Sequence, residues 1–480
     1  MIFSSGNPST DLYVKNLFSE LFPEICFSGK ENIYAESDIA YKDNAVQAAL
    51  TVNGRKLYVE EHIHDHQNVN LATTCALGKA IISYARECGK DTPPYGVLIG
   101  VRPFKIASAL LEKHPKNIAI EKLKSTYLIS SDKAELLIST SQYDAKMKKN
   151  HKKTDCSIYI SIPFCPSRCS YCSFVSSAIP TKLDMLDTYL DKLAEEIRIL
   201  SDFLTKNAYN VKSVYIGGGT PTVLSPTQLK VLTDVVTSEF NTFNLNEFTV
   251  EAGRPDTISE EKIEILKRSG VSRISVNCQT TNNDVLNAIG RKHTKEDFIY
   301  AFEAVKKYGF KTINTDIIAG LETERFESFK NTVDDVISLC PESITVHTLC
   351  LKKSSDIRFS GRTDVLSEDI SGFINYSRKK CISEGYEPYY LYKQKYSVGN
   401  HENVGYCKEG HESYYNIAMM NEIETVFGVG AGATTKVTDI NENGKIEHFE
   451  NYKYPTEYIK DKSKLINNYL RIQELVISGK

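Results

Sequence analysis

From Ser157 to about residue 350 the chain alternates short apolar runs with longer stretches in which apolar residues recur every three or four positions. The short runs, at 158–162, 213–216, 248–251, 273–276, 312–318 and 344–349, have strand length and β-branched content, and they predict strands. Amphipathic spacing predicts helices between most of them, clearest at 183–203, 226–240, 259–269, 295–308 and 324–339. Six strand–helix units in series predict an α/β fold with a parallel sheet, curved into a full or partial barrel. Active groups in such sheets gather at the C-terminal ends of the strands.

The pattern before residue 145 is different. Two apolar runs at 45–52 and 56–62 flank Asn53-Gly54, the signature of a type I′ hairpin. A helical pattern over 69–88 stops at Gly89; Pro93-Pro94-Tyr-Gly96 marks a turn, and a further helix is predicted near 105–113. Residues 1–145 therefore read as a small α+β domain. The basic stretch Lys146-Met-Lys-Lys-Asn-His-Lys-Lys153 reads as a solvated linker spanning 146–156, leading into a barrel over 157–385. The final section, 386–480, is rich in Tyr, Gly and Asn, and is expected to form an α+β cap over the substrate end of the barrel.

Composition narrows the field only modestly. A net charge of −3 leaves no footprint for nucleic acid, and no apolar run approaches the ~18 residues of a membrane span. The opening Met1-Ile-Phe-Ser-Ser-Gly lacks the basic and apolar regions of a signal peptide, so a reducing cytoplasm is the expected compartment. Twelve cysteines in such a compartment are thiols rather than disulfides, and most stand singly.

Three do not. Cys165-Pro-Ser-Arg-Cys169-Ser-Tyr-Cys172 follows the first barrel strand. A zinc site would favour paired Cys-x-x-Cys units, and the chain has no second pair. Three thiolates on one tight loop instead suit one [4Fe–4S] cluster whose fourth iron is open to chemistry. Gly217-Gly-Gly-Thr-Pro221 follows the next strand, where bare backbone N–H groups are expected to cradle a polar or anionic ligand. Glu251, Gln279, Arg291 and Asp316 fall at or just after later strand ends. Together they offer acceptors for an amino group or ribose hydroxyls, and a cation for a carboxylate. His62-Ile-His-Asp-His66 has metal-like spacing but reads as surface, and Lys352-Lys353 offers a rim site for substrate carboxylates.

With these residues in view the chain resembles the radical S-adenosylmethionine superfamily. More narrowly, it resembles the oxygen-independent coproporphyrinogen III dehydrogenases (oxidases), in the branch that bears an extra N-terminal domain. The likeness rests on Tyr159-Ile-Ser-Ile-Pro-Phe-Cys165, Cys169-Ser-Tyr-Cys172, Gly217-Gly-Gly-Thr-Pro-Thr222, Glu251-Ala-Gly-Arg-Pro-Asp256, Gly290-Arg-Lys-His-Thr294, Val346-His-Thr-Leu349, Tyr392-Lys-Gln-Lys395 and Glu402-Asn-Val-Gly-Tyr406. It implies a partial (β/α)6 barrel, with Cys165, Cys169 and Cys172 holding the cluster. It places Tyr159, Tyr171, Gly218, Gly219, Thr220, Glu251, Gln279, Arg291, Asp316, Cys350 and Thr434 around one or two molecules of S-adenosylmethionine. The implied chemistry is a 5′-deoxyadenosyl radical that converts propionates of a tetrapyrrole, coproporphyrinogen III, to vinyl groups, with electrons from a reductant such as flavodoxin or ferredoxin. Ser161 stands where the dehydrogenases carry His. Ser173-Phe174 replaces their Gly-Cys, as in the related heme chaperones. A heme chaperone and a radical methyltransferase are the alternative readings.

Overall fold

The computed structural model describes residues 2–4, 8–22, 34–42, 44–64, 67–100, 102–172, 177–178, 183–350, 370–394, 397–438 and 446–478. The chain divides into two units, Met1–Ala145 and Lys146–Lys480.

In the first unit β1 (Ile2–Ser4), β2 (Tyr34–Lys42), β3 (Ala45–Val52) and β4 (Arg55–His62) form one sheet in that order. β1 runs parallel to β2, and the remaining pairs are antiparallel. Asn53 and Gly54 close the β3–β4 hairpin with φ of 48° and 79°, the two positive angles of a type I′ turn. The helix Val69–Glu87 packs on β3 and β4 and is followed by Gly89 at φ 76°. Helices Phe104–Lys113, Lys116–Tyr127 and Ser131–Asn150 follow. Only the first of these three was visible as an amphipathic pattern. The last buries Thr140, Ser141 and Asp144 along with its leucines, so its buried stripe is not apolar in sequence. That helix also corrects the linker reading. It continues to Asn150, and the next strand starts at Asp155, which leaves only 151–154 as connection.

In the second unit β5 (Asp155–Ile162) leads into the short pair β6 (Phe164–Cys165) and β7 (Ser177–Ala178). Then come β8 (Asn210–Gly218), β9 (Glu247–Glu251), β10 (Arg273–Ser275), β11 (Thr312–Ala319) and β12 (Ser343–Thr348). Strands β5, β8, β9, β10, β11 and β12 lie side by side in that order, all parallel, and match the six predicted strands. Among the intervening helices, Pro226–Phe240 and Lys295–Lys307 each start with a capping box, from Ser225 with Gln228 and Thr294 with Asp297.

Period-two alternation sorts this sheet into two faces. Val214, Ile216, Phe248, Val250, Ile274, Ile313, Ile344 and Val346 point one way and are buried in the apolar core. Between them, Tyr159, Tyr215, Glu251, Ser275, Asn314, Asp316, Thr345 and His347 occupy the other face, which carries the chemistry.

The C-terminal section extends the sheet at both edges. β13 (Glu387–Lys393) and β14 (Glu402–Cys407) add antiparallel strands beyond β12. β15 (Thr425–Val429) pairs parallel with β5, and β16 (Thr434–Val437) and β17 (Glu447–Glu450) extend that edge. One eleven-stranded sheet results, running from β13 to β17. β14 completes hydrogen bonds that β12 would otherwise leave open, and the strand-forming run Tyr389-Tyr-Leu-Tyr392 of β13 does the same for β14.

Candidate functional site

The cysteine loop is held by its neighbours rather than by its own turns. Gly219 N donates to Ile162 O at 2.8 Å and Thr220 N to Phe164 O at 2.8 Å, fastening the end of β8 to the start of the loop. Ser170 N donates to Ile289 O at 3.1 Å, and Cys172 N closes on Cys169 O at 3.1 Å. Cys169 is buried and Cys165 and Cys172 are half-buried, none of them in a disulfide. The hydroxyl of Thr220 donates to Cys165 Sγ at 3.5 Å.

This geometry corrects the reading of the three glycines. The amides of Gly218 and Gly219 are not bare: Gly218 N donates to Glu251 Oε2 at 3.2 Å, and Gly219 N is used as above. Glycine is needed for close approach. A Cβ on Gly219 would sit 2.4 Å from Phe164 O, and one on Gly217 would sit 2.8 Å from the Glu251 carboxyl carbon. Gly218, at φ 108°, lies where side chains are strained.

Glu251 ends β9 in an aromatic setting. Tyr215 Oη donates to Glu251 Oε1 at 2.6 Å, and Tyr215 forms a triangle of stacked rings with Tyr159 (6.0 Å) and Tyr415 (4.5 Å). Burial, with the nearby Asp316 charge adding to it, pushes the Glu251 carboxyl up to about 7.

A second cluster surrounds Asp316. Asn277 Nδ2 and Asn314 Nδ2 donate to its two carboxylate oxygens at 2.7 and 2.8 Å, and its own N–H donates to Asn277 Oδ1 at 3.1 Å. His347 Nε2 lies 3.8 Å away, and His347 Nδ1 meets the Tyr392 hydroxyl at 3.3 Å. Burial would raise the Asp316 carboxyl, but His347 and hydrogen bonds from Asn314 and Thr345 outweigh it and hold the group below its ordinary value. Gln279, at φ 69°, is pinned by backbone hydrogen bonds to Asp316 O and from Ile318 N. Arg291 bridges to the cysteine loop: Nη1 donates to Gly253 O and Asn277 O at 3.1 and 2.9 Å, and Nη2 to Tyr171 Oη at 3.1 Å.

The structure thus brings Tyr159, Glu251 and Gly217–Gly218 into one group, and Asp316, Gln279, Arg291 and Tyr171 into another that reaches the cysteines. Cys350 follows β12 and bridges to Ser397, while Thr434 opens β16, two strands beyond β5. Lys352, Lys353, Ser173 and Phe174 lie outside the described residues, as do Asp65 and His66. His62 ends β4, and His64 Nε2 lies 3.8 Å from Glu61. Sequence reading passed over Tyr215, Asn277, Asn314, His347, Arg254 and Tyr415. Asn314 could have been found by stepping two residues back along its strand from Asp316.

A [4Fe–4S] cluster with S-adenosylmethionine fits these residues. Among the described residues no three His, Cys, Asp or Glu side chains converge on a single ion. A cluster does not require that, because each thiolate binds a different iron. Two buried polar atoms without a partner, the acceptor Gln279 Oε1 and the donor Arg291 Nε, are what a zwitterionic ligand would complete. No described helix is long and apolar enough to cross a membrane.

Comparison with known proteins agrees with this geometry. The profile of the Radical SAM superfamily matches residues 159–336. The oxygen-independent coproporphyrinogen-III oxidase-like protein HemZ of Bacillus subtilis (strain 168) is 38% identical over 378 residues, covering 76% of this chain and 74% of HemZ. The heme chaperone HemW of the same organism is 32% identical over 278 residues, covering 58% of this chain and 70% of HemW. In fold, the chain resembles coproporphyrinogen III oxidase (HemN) from Escherichia coli, with a TM-score of 0.53 at 20% identity, over 69% of this chain and 72% of that one. The chain belongs to the radical SAM superfamily, in the group that holds the oxygen-independent coproporphyrinogen-III oxidase-like proteins and the heme chaperones.

Proposed function

We propose that this protein catalyses the oxygen-independent oxidative decarboxylation of coproporphyrinogen III, converting two propionates to vinyl groups with loss of CO2. The observation that carries the reading is the 38% identity to the oxidase-like protein HemZ over 74% of its length. Cys165, Cys169 and Cys172 would hold one [4Fe–4S] cluster. When bound there, the cluster supplies the single electron that turns S-adenosylmethionine into a hydrogen-abstracting reagent. The residues of the chain then bind and orient. Arg291 and Gln279 offer a donor and an acceptor for the methionyl end of one S-adenosylmethionine, with Tyr171 fixing the guanidinium. Asp316 and Glu251 offer carboxylates to the ribose or amino groups; Tyr159, Tyr215 and Tyr415 wall the site against water. Electrons would come from a low-potential reductant such as flavodoxin or ferredoxin.

The test is anaerobic turnover of the reconstituted protein with coproporphyrinogen III, reading porphyrin product, CO2 and the fate of S-adenosylmethionine together. Vinyl product is expected. Cleavage of S-adenosylmethionine without vinyl product or CO2 would reject the reading. The 32% identity to the heme chaperone HemW favours one second reading, in which the protein binds heme and does not turn it over. Stoichiometric heme binding with no decarboxylation would select it.

A further inference from the structure

Arg254 is 3% exposed and points at the cysteine loop. Asp256 fixes its guanidinium in a fork: Nε donates to Oδ1 at 3.0 Å and Nη2 to Oδ2 at 3.1 Å. That grip turns the other edge toward the loop. Nη1 donates to Cys169 Sγ at 3.7 Å, to Ser167 Oγ at 3.2 Å and to Ser167 O at 3.5 Å, and Nη2 reaches Ser167 Oγ at 3.2 Å. Pro255 at the first position of a short 3-10 turn, with Thr257 Oγ1 donating to Arg254 O at 2.7 Å, sets the backbone that presents this side chain.

We propose that Arg254 is a positioning residue for the cluster: it hydrogen-bonds the Cys169 sulfur and raises the cluster's reduction potential. The proposal rests on reading Cys165, Cys169 and Cys172 as the cluster ligands. Reduction adds negative charge that is shared with the ligand sulfurs, and an N–H donor at a sulfur stabilises the reduced form more than the oxidised one. A guanidinium suits this role because it stays charged at any working pH. Its planar fork can also serve Asp256, Ser167 and Cys169 at once, which a lysine ammonium on a flexible stem cannot. Of the three thiols, Cys169 is the buried one, so the donor acts where solvent screens it least.

The experiment uses the full chain, reconstituted anaerobically with iron and sulfide, and follows the reduced cluster by electron paramagnetic resonance during a redox titration. Iron and sulfide content is measured alongside. R254Q is expected to load iron as the wild type does and to show a reduced-to-oxidised cluster ratio about tenfold lower at a fixed potential, roughly 59 mV for a one-electron couple. R254K, which keeps the charge and loses the fork, is expected to fall between the two. A wild-type midpoint in R254Q overturns the proposal; if R254Q takes up no iron, a wild-type midpoint in R254K does so. A different result would reject the underlying ligand reading instead: wild-type protein that loads no cluster, or C169A that loads and titrates as the wild type does.

Discussion

A methyl group at position 219 would meet the Phe164 carbonyl oxygen at 2.4 Å and the Phe164 nitrogen at 2.8 Å. Both are backbone atoms at the root of the cysteine loop, so the clash cannot be relieved by a rotamer change. Gly219→Ala is expected to lose about 1–3 kcal/mol in chemical denaturation, in the range of forced overpacking, and to take up less iron on reconstitution. Gly372→Ala is the matched control. It lies inside the helix Ile370–Ser383, its Cβ would meet nothing nearer than 3.8 Å, and the change is expected to be neutral or to stabilise by up to about 1 kcal/mol. Position 215 gives a second prediction at this scale. Tyr215→Phe removes the 2.6 Å hydrogen bond that favours the Glu251 carboxylate, so the Glu251 carboxyl should move further up from about 7. Infrared titration of the carboxyl band, with Glu251→Gln to assign it, checks this direction. Glu251 could be picked from the sequence because it ends an apolar run, and Asp316 because it is the acid within one. Tyr215 and Asn277 could not be ranked in that way, since their importance comes from the acid they touch across neighbouring strands.

Elements add a different kind of dependence. The helix Tyr414–Asn421 begins on a buried carboxylate. Glu247 Oε1 accepts from Ser413 Oγ at 2.9 Å and Tyr415 N at 3.2 Å, and Glu247 Oε2 accepts from Tyr414 N at 3.1 Å. This bond set, whose partners Glu247 and Tyr415 are 168 residues apart in sequence, carries Tyr415 to its stack on Tyr215. Glu247→Ala strands those N–H groups in a buried place, and a loss of about 2–4 kcal/mol is expected. Near-ultraviolet circular dichroism should report the loosened tyrosine stack even where the fold survives. Helices with clear caps and stripes, such as Pro226–Phe240, were legible in the sequence to the residue. The final strands were legible as apolar runs, but their destination was not. Pairing of β15 with β5 and of β14 with β12 depends on long-range closure that no local pattern encodes.

Among the described residues of the second unit, four buried carboxyls are raised by burial above their ordinary value: Glu196, Glu251 and Glu424 to about 7 and Glu324 to about 8. Each is better housed neutral than charged. Their contribution to stability is fully present below the unfolded value of about 4.5 and is lost as pH rises through the folded values of about 7 to 8. The apo protein is therefore expected to melt at progressively lower temperature between pH 5.5 and 8.5. Glu196 accepts from Tyr458 Oη, Gly430 N and Asn451 Nδ2, tying the helix Leu183–Lys206 to the C-terminal section. In E196Q, whatever the overall stability, the slope of melting temperature against pH should be shallower. An unchanged slope would remove Glu196 from the set.

The sequence alone determined the strand–helix alternation, the six strands and the three thiols on one loop, because each is written within a few residues of itself. Period-two alternation, helix caps and Cys spacing are local properties, and they suffice to place polar residues at strand ends. Tertiary structure alone decided what those residues do to one another. It spent the amides of Gly218 and Gly219 on Glu251 and on the cysteine loop, placed the C-terminal strands at the sheet edges, and brought Arg254 to a thiol 85 residues away in the chain. These outcomes depend on which strands become neighbours and on which buried polar atoms then find partners. That is settled only when the whole sheet closes on its core.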